Sequence, residues 1–253
     1  MRDSIFFSIV IATYNVKIDL EICVNSIQSQ SFLNYELLIS DGGSSDGTLE
    51  YISSGAIANL AWYKSEPDTG IYDALNIALD HISGNWVLVM GADDRLADPE
   101  ALSRAYNQIS RLRVNAGIVY SDLFISGNKG VVLKKYPAFA EFERKYNGGA
   151  FIHHQTAFIN KECLMNAGKF SLNYKVHADY DLMLRVLIKS GALKIDGAFV
   201  VFHSKGFSSR FGNLWKSFCE IYRIRQSHGY FPMPTRLLMT YTALLTRRIF
   251  PFT

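Results

Sequence analysis

The sequence predicts an α/β fold built on a mostly parallel central sheet. Short apolar runs alternate with amphipathic segments through the first hundred residues, and each run stops at a polar or glycine-rich group. Strand, helix, strand, helix in that order calls for right-handed crossovers between parallel neighbours. The chain has 253 residues, 49% hydrophobic and 19% charged, which is enough apolar material for one large core without cross-links.

The elements follow in order. "FSIVIA" (Phe7–Ala12) is the first strand; the longer "IFFSIVIA" lacks the basic lead and cleavage site of a secretory signal. A helix comes next, with Leu20, Cys23, Val24 and Ile27 on one face, then the strand "YELLIS" (Tyr35–Ser40). "DGGSSDGT" leads into a second helix with Asp46 or Thr48 near its cap, and "AWYK" (Ala61–Lys64) is a short strand. A helix over Ile71–Ile82 precedes the strand "WVLVM" (Trp86–Met90). The next helix is entered through "DPEALSRAYNQI", with Asp98 as N-cap and Pro99 as the first helical residue.

The second half is less regular. "GIVYSD" (Gly117–Asp122) reads as a strand, "GNKG" (Gly127–Gly130) as a turn between "LFIS" and "VVLKKY", and "QTAFIN" (Gln155–Asn160) as a strand leading into a helix. A helix is expected over Asp179–Ser190, with Leu182, Val186 and Leu187 inward. Two last helices, Phe211–His228 and Met233–Ile249, are divided by the breaker "GYFPMP". The expected organisation is an α/β domain over residues 1–210 and a helical extension over 211–253, packed on the domain or on a membrane surface.

Cys23, Cys163 and Cys219 are odd in number and far apart, so neither a disulfide framework nor a CxxC metal site is expected, and a reducing cytoplasm suits them. No apolar run approaches the roughly 18 residues needed to span a bilayer. The net charge of +3 conceals an asymmetry: from His203 onward eight basic residues face one acid, Glu220. That imbalance suits an anionic partner such as a membrane surface or a phosphate.

Ligands of parallel sheets bind outside the carboxyl ends of the strands. The groups found there are Thr13-Tyr14-Asn15, Asp41-Gly42-Gly43 and Ala92-Asp93-Asp94, which the topology brings to one edge. Adjacent carboxylates repel unless a cation or hydrogen-bond donors compensate, so Asp93-Asp94 is read either as a divalent-metal site that leaves positions open for phosphates or as a turn. Tyr14 offers a ring for stacking on a base, and Asp41 an acceptor for a base or ribose donor. Adjacent His153 and His154 without a nearby acid at suitable spacing would make an atypical metal site.

Five ordered blocks, "SIVIATYN", "ELLISDGGSSDGT", "SEPDTGIYDALNIAL", "GNWVLVMGADD" and "HADYDLMLR", resemble family-two inverting glycosyltransferases of the GT-A fold, the bacterial exopolysaccharide and lipopolysaccharide type. The resemblance covers roughly residues 7–207. It implies that Thr13, Tyr14, Asn15 and Asp41 hold the nucleotide and that Asp68, Asp73 and Asn76 run under the donor. Asp94, assisted by Asp93, would hold Mn2+ or Mg2+ on the diphosphate, and His154 and Gln155 would lie near donor and acceptor. Asp179 is implied as the general base, with Asp181 competing two residues on; Ala178 stands where the family carries glutamate, which puts the orientation of the base in question.

The implied reaction is metal-dependent transfer of a sugar, UDP-linked by preference, to a hydroxyl of a lipid-linked or oligosaccharide acceptor. Neither role involves nucleic acid. A non-catalytic nucleotide-sugar-binding assembly subunit is the alternative, whereas a nucleotidyltransferase would need a glycine-rich loop that "IATYNVKIDLE" lacks. The basic end, through "HSKGFSSR" and "RLLMTYTALLTRRIF", suits closure over a diphosphate, packing in a homo-oligomer, or peripheral contact with the inner face of the cytoplasmic membrane.

Overall fold

The computed structural model describes residues 4–112, 116–127, 130–145, 152–203 and 214–230. The first half contains β1 (Phe7–Thr13), α1 (Lys17–Gln28), β2 (Tyr35–Asp41), α2 (Thr48–Ser53), β3 (Leu60–Ser65), α3 (Ile71–Leu79), β4 (Trp86–Gly91), β5 (Arg95–Leu96) and α4 (Ala101–Ile109). The second contains β6 (Ile118–Gly127), β7 (Gly130–Lys134), α5 (Phe139–Lys145), a 3-10 turn at His154–Thr156, β8 (Ala157–Asn160), α6 (Lys161–Ala167), α7 (Ala178–Ser190), β9 (Ala192–His203) and α8 (Leu214–Ser227).

Among the described residues the strands form one nine-stranded sheet in the order β3-β2-β1-β4-β8-β6-β9-β5, with β7 attached to β6. Every residue of β1 and β2 is buried, which is why those runs are apolar without alternation. α1 turns Leu20, Cys23, Val24 and Ile27 onto the sheet, and α3 does the same with Ala74, Leu75, Ala78 and Leu79. The parallel register then sets Thr13 beside Asp41, Ala12 beside Gly91 and Asp41 beside Ser65. The carboxyl ends of four strands are therefore level, and the polar groups that follow them share one ledge.

The parallel rule holds for β1 to β4 and again between β6 and β9. β8 runs antiparallel to β4 and β6, so the sheet is mixed beyond β4. β9 escaped the sequence reading because Lys194, Asp196 and Gly197 interrupt its apolar alternation; Gly197 has φ +99°, and the register against β6 shifts nearby.

Three boundaries also differ. The helix expected over Ile71–Ile82 ends at Leu79, where Asp80 closes its last turn. α4 starts at Ala101, because Asp98 turns the chain ahead of it: its backbone oxygen accepts the Ala101 N–H, and its carboxylate grips Arg104 at 2.7 and 2.8 Å. Gln155 and Thr156 belong to the 3-10 turn, so the strand expected from Gln155 begins at Ala157. Ile221 and Ile224 of α8 join the same core as the sheet. The expected helix over 233–249 and the loop over 204–210 lie outside the described residues. Among the described residues no helix is long and apolar enough to cross a membrane.

Candidate active site

The ledge begins with Asp41, which is buried. One of its oxygens accepts the Ser44 N–H at 3.0 Å and the Ser65 hydroxyl at 2.5 Å, and the other accepts the Ser44 hydroxyl. Asn15 has φ +51°, a conformation that asparagine tolerates better than most residues, and its N–H donates to Ser44 Oγ at 2.7 Å. Its side-chain oxygen accepts the Ser45 N–H at 2.8 Å, so the loops after β1 and β2 are laced together. Tyr14 projects from this lacing with 62% of its surface exposed. Thr13 is buried, and its hydroxyl has no partner among the described residues.

Gly42 sets how closely this group draws in. A Cβ there would come within 2.8 Å of an Asp68 carboxylate oxygen and 3.3 Å of the Tyr14 ring. Asp68 also accepts the Gly70 N–H at 2.8 Å, and Asp73 accepts the Thr69 N–H and hydroxyl at 3.0 and 2.9 Å, closing the first turn of α3. Asn76 faces elsewhere: its amide bonds both the N–H and the C=O of Phe170, at 2.8 and 2.9 Å, and so ties α3 to the turn after α6.

Asp93 and Asp94 follow β4. Asp94 is almost fully buried, and its carboxylate receives the backbone N–H groups of Gly91 at 3.0 Å and of His203, the last residue of β9, at 3.1 Å. β5 pairs with β9 directly afterwards, which pins the turn. A Cβ on Gly91 would meet Asp93 Oδ1 at 2.8 Å and Asp94 Oδ2 at 2.9 Å, so both carboxylates fold back over that glycine. Burial, and then the charge of Asp93, push the Asp94 carboxyl up to about 7 despite the two N–H donors; burial likewise raises Asp93. Among the described residues no lysine or arginine pairs with either carboxylate, which leaves the two short of positive charge there.

Asp179 is the second residue of α7. Its Oδ2 lies 2.7 Å from Nδ1 of His154 in the 3-10 turn, and its Oδ1 lies 3.2 Å from the Tyr72 hydroxyl, whose one proton is shared with the nearer Val176 carbonyl. Burial alone would raise the Asp179 carboxyl, but the His154 hydrogen bond and charge outweigh it and hold the group well below the usual carboxylate range. Gln155 is buried immediately beyond His154. His153 turns away to Lys134, 3.2 Å from its Nε2, and burial takes that imidazole down to about 3. Asp181 is engaged by Arg185 at 2.9 Å and by His228 at 3.0 Å.

The chain ahead of α7 is held from the far side. Glu220 of α8 accepts the N–H groups of Lys175, Val176 and His177 at 2.9, 2.9 and 3.0 Å, and the Tyr72 hydroxyl reaches the Val176 carbonyl at 2.8 Å.

A family model described as Glycosyl transferase family 2 matches residues 8–167. The protein belongs to this glycosyltransferase family. The glycosyltransferase is 30% identical over 247 residues to a PGL/p-HBAD biosynthesis glycosyltransferase of Mycobacterium bovis (strain BCG / Pasteur 1173P2), an alignment covering 96% of this chain and 90% of that protein. Its fold is similar to that of S. aureus TarS 1-349 in complex with UDP-GlcNAc, with a TM-score of 0.70 and 19% identity over 88% of this chain and 66% of that one. It is also similar to the mannosyltransferase PcManGT from Pyrobaculum calidifontis in complex with GDP-Man and Mn2+, with a TM-score of 0.65 and 17% identity over 95% and 69%. A GT-A-like fold is thereby shown.

Several residues that build the glycosyltransferase's site were not singled out in the sequence. Ser44 and Ser65 grip Asp41, Tyr72 reaches Asp179, and the His203 backbone holds Asp94. Ser44 had a signal, since a serine three residues after an aspartate is a common turn partner. Glu220 had one as well, as the single acid of a basic tail. Tyr72 had none, and His203 was read only as the first residue of a basic stretch suited to closing over a diphosphate. Ala178, where the family carries glutamate, is buried at the start of α7, and the orientation of Asp179 comes from His154 and Tyr72.

Proposed function

We propose that the protein transfers a sugar, with inversion at the anomeric carbon, from a nucleotide-sugar to a hydroxyl of a lipid-linked or oligosaccharide acceptor in cell-surface glycan biosynthesis. The nucleotide lies on Thr13, Tyr14, Asn15 and Asp41, and the diphosphate faces Asp68, Asp73, Asp93 and Asp94. UDP is the preferred nucleotide. The Asp93-Asp94 pair at the level ends of the parallel strands carries this reading, because a buried carboxylate beside an exposed one, with no lysine or arginine paired to either among the described residues, suits a donor that arrives with a divalent cation. Among the described residues no group of three His, Cys, Asp or Glu side chains could cage an ion. One or two carboxylates with positions left for phosphate and water are the donor set Mn2+ or Mg2+ takes at such sites, so the residues fit the metal. When bound, it would stabilise the charge of the departing diphosphate.

The relatives support the same direction. The mycobacterial protein is named for PGL/p-HBAD biosynthesis, and the structurally similar proteins were captured with UDP-GlcNAc and with GDP-Man and Mn2+. Asp179, with His154 against it, provides for removal of the acceptor's proton. On α8, Trp215, Lys216 and Arg223 are exposed, which fits an enzyme working at the inner face of a membrane that carries its acceptor.

The test is calorimetric titration of UDP, GDP and dTDP, each with and without Mn2+, into the wild type and Asp94→Ala. Metal-dependent binding of one nucleotide, lost in the variant, is the expected result. No binding of any nucleotide to the wild type would reduce Asp93 and Asp94 to a turn and sink the reading.

A further inference from the structure

The hairpin of β6 and β7 carries an apolar surface that the described residues leave uncovered. Val131, Val132 and Leu133 follow one another in β7 and are 51%, 61% and 43% exposed. Successive strand residues point to opposite faces, so apolar side chains stand out on both sides of the hairpin. A strand lying on a core hides one face and shows polar residues on the other; β7 does neither. Among the described residues it pairs only with β6. From Leu123 to Ala140 the chain holds three lysines, Lys129, Lys134 and Lys135, and no acid. Lys134 turns to His153 and to the Tyr136 ring, and Lys135 is exposed.

The pairing register says where this surface lies. Ser126 of β6 is level with His203 of β9 on one side and with Val131 on the other. The His203 N–H is one of the two that hold the Asp94 carboxylate. Two strand spacings, roughly 10 Å, therefore separate the β7 backbone at Val131 from the strand end that grips Asp94. The hairpin leaves the sheet at the same end as the ligand ledge.

We propose that the β6–β7 hairpin is a membrane contact, with Val131, Val132 and Leu133 entering the headgroup layer of an anionic lipid surface and Lys135 attracted to its phosphates. This deepens the sugar-transfer reading, on which its role rests, by naming the surface from which a lipid-linked acceptor is met beside Asp94. Two observations favour lipid over a second copy of the chain. A protein partner covers one face of a hairpin, whereas a fluid layer surrounds both. Two copies joined here would also set their lysines against each other, and like charges across an interface repel; an anionic surface attracts them. At headgroup depth, water still reaches the β7 backbone groups that β6 does not pair, which hydrocarbon would not allow.

The test is cosedimentation of the full chain with vesicles of phosphatidylcholine alone and of phosphatidylcholine with an equal part of phosphatidylglycerol, beside titration of UDP, GDP and dTDP with Mn2+. Val131→Thr, Val132→Thr and Leu133→Thr combined keep residues that favour strands and remove apolar surface; Lys135→Glu reverses a charge. The wild type should bind the anionic vesicles, and less so at high salt. The triple variant should bind them about tenfold more weakly or worse. Lys135→Glu should lose about tenfold on the anionic vesicles, with little change on phosphatidylcholine alone. Both should keep the wild-type affinity for nucleotide, which shows that they are folded. Wild-type binding of the anionic vesicles by either variant, or no binding by the wild type, overturns the proposal and leaves the sugar-transfer reading to the nucleotide titration. A wild-type dimer that the triple variant turns into a monomer by light scattering, with vesicle binding unchanged, assigns the hairpin to a second copy and overturns it too. A wild type that binds vesicles but no nucleotide upholds the lipid contact and brings down the sugar-transfer reading, and with it the hairpin's part in meeting an acceptor.

Discussion

The carboxylate of Glu220 holds the backbone N–H of His177 at 3.0 Å, two residues ahead of Asp179. Together with the Val176 and Lys175 N–H groups, it puts a negative charge at the N-terminus of the thirteen-residue α7, where the helix leaves its first donors unpaired. A residue of the carboxyl-terminal segment thereby fixes where α7 begins. Glu220→Gln keeps one acceptor oxygen and loses the charge. Turnover should fall roughly tenfold, about 1.4 kcal/mol on the barrier, with nucleotide affinity unchanged. Glu220→Ala, which strands buried N–H groups, should cost about 3 kcal/mol of stability. Unaltered turnover in Glu220→Gln, measured beside its nucleotide Kd, would show that α8 plays no part in placing Asp179.

Asp179 and Asp181 are separable. Asp181 is held by Arg185, whose guanidinium also donates to the carbonyls of Ala167, Gly168 and Lys169, so this carboxylate is part of a clamp between α6 and α7. Asp181→Asn should cost about 2 kcal/mol of stability and leave turnover nearly intact, since Arg185 keeps its carbonyl partners. Asp179→Asn removes the carboxylate that would take the acceptor's proton, so turnover should drop about a thousandfold with donor binding preserved. Urea unfolding and donor turnover on the two variants should give opposite patterns; matching patterns would contradict the assignment.

Gly91→Ala tests the carboxylate pair without removing a charge. The new Cβ would meet Asp93 and Asp94 at 2.8 and 2.9 Å, and the Asp94 carboxylate cannot swing aside without losing the N–H groups of Gly91 and His203. Displaced carboxylates should raise the Mn2+ concentration needed for nucleotide binding by roughly tenfold or more, the usual effect of disturbing the support of a metal ligand. Titration of Mn2+ at fixed UDP measures it, and an unchanged midpoint would separate the pair from the metal.

The first half of the fold was legible because burial on both faces leaves uninterrupted apolar runs, and because each parallel strand needs a helical crossover that announces itself by its own period. Asp41, Asp93 and Asp94 stood out for the same reason: they break such runs. β9 was not legible, since its Asp196-Gly197 irregularity hides a long strand, and neither was the antiparallel insertion of β8, which depends on pairings between distant segments. The partners of the site residues were the least readable part. Nothing in the spacing of Tyr72, His154 and Asp179 says that they meet, because their contact is made by the sheet that carries them.

Glu36 gives a prediction at the opposite end of the sheet from the ligand ledge. Its buried carboxylate accepts the Ser8 hydroxyl at 2.6 Å, the Ser83 N–H and hydroxyl at 2.5 Å each, and the Gly84 N–H at 3.2 Å, locking β1, β2 and the turn before β4. Burial pushes this carboxyl up, but the hydrogen bonds from Ser8, Ser83 and Gly84 outweigh it and leave the group below its ordinary 4.5. A depressed folded-state value means that the unfolded chain takes up the proton first as pH falls. The contribution of Glu36 is therefore complete above pH 4.5 and is lost as the pH drops toward and through the folded value. Glu36→Gln should be less stable than the wild type at pH 7, and the gap should narrow steadily below pH 4.5. Urea unfolding of both proteins from pH 7 to pH 3 reads the gap directly. A gap that stays constant across that range would mean that neutral hydrogen bonds, and not the charge on Glu36, hold this corner of the sheet.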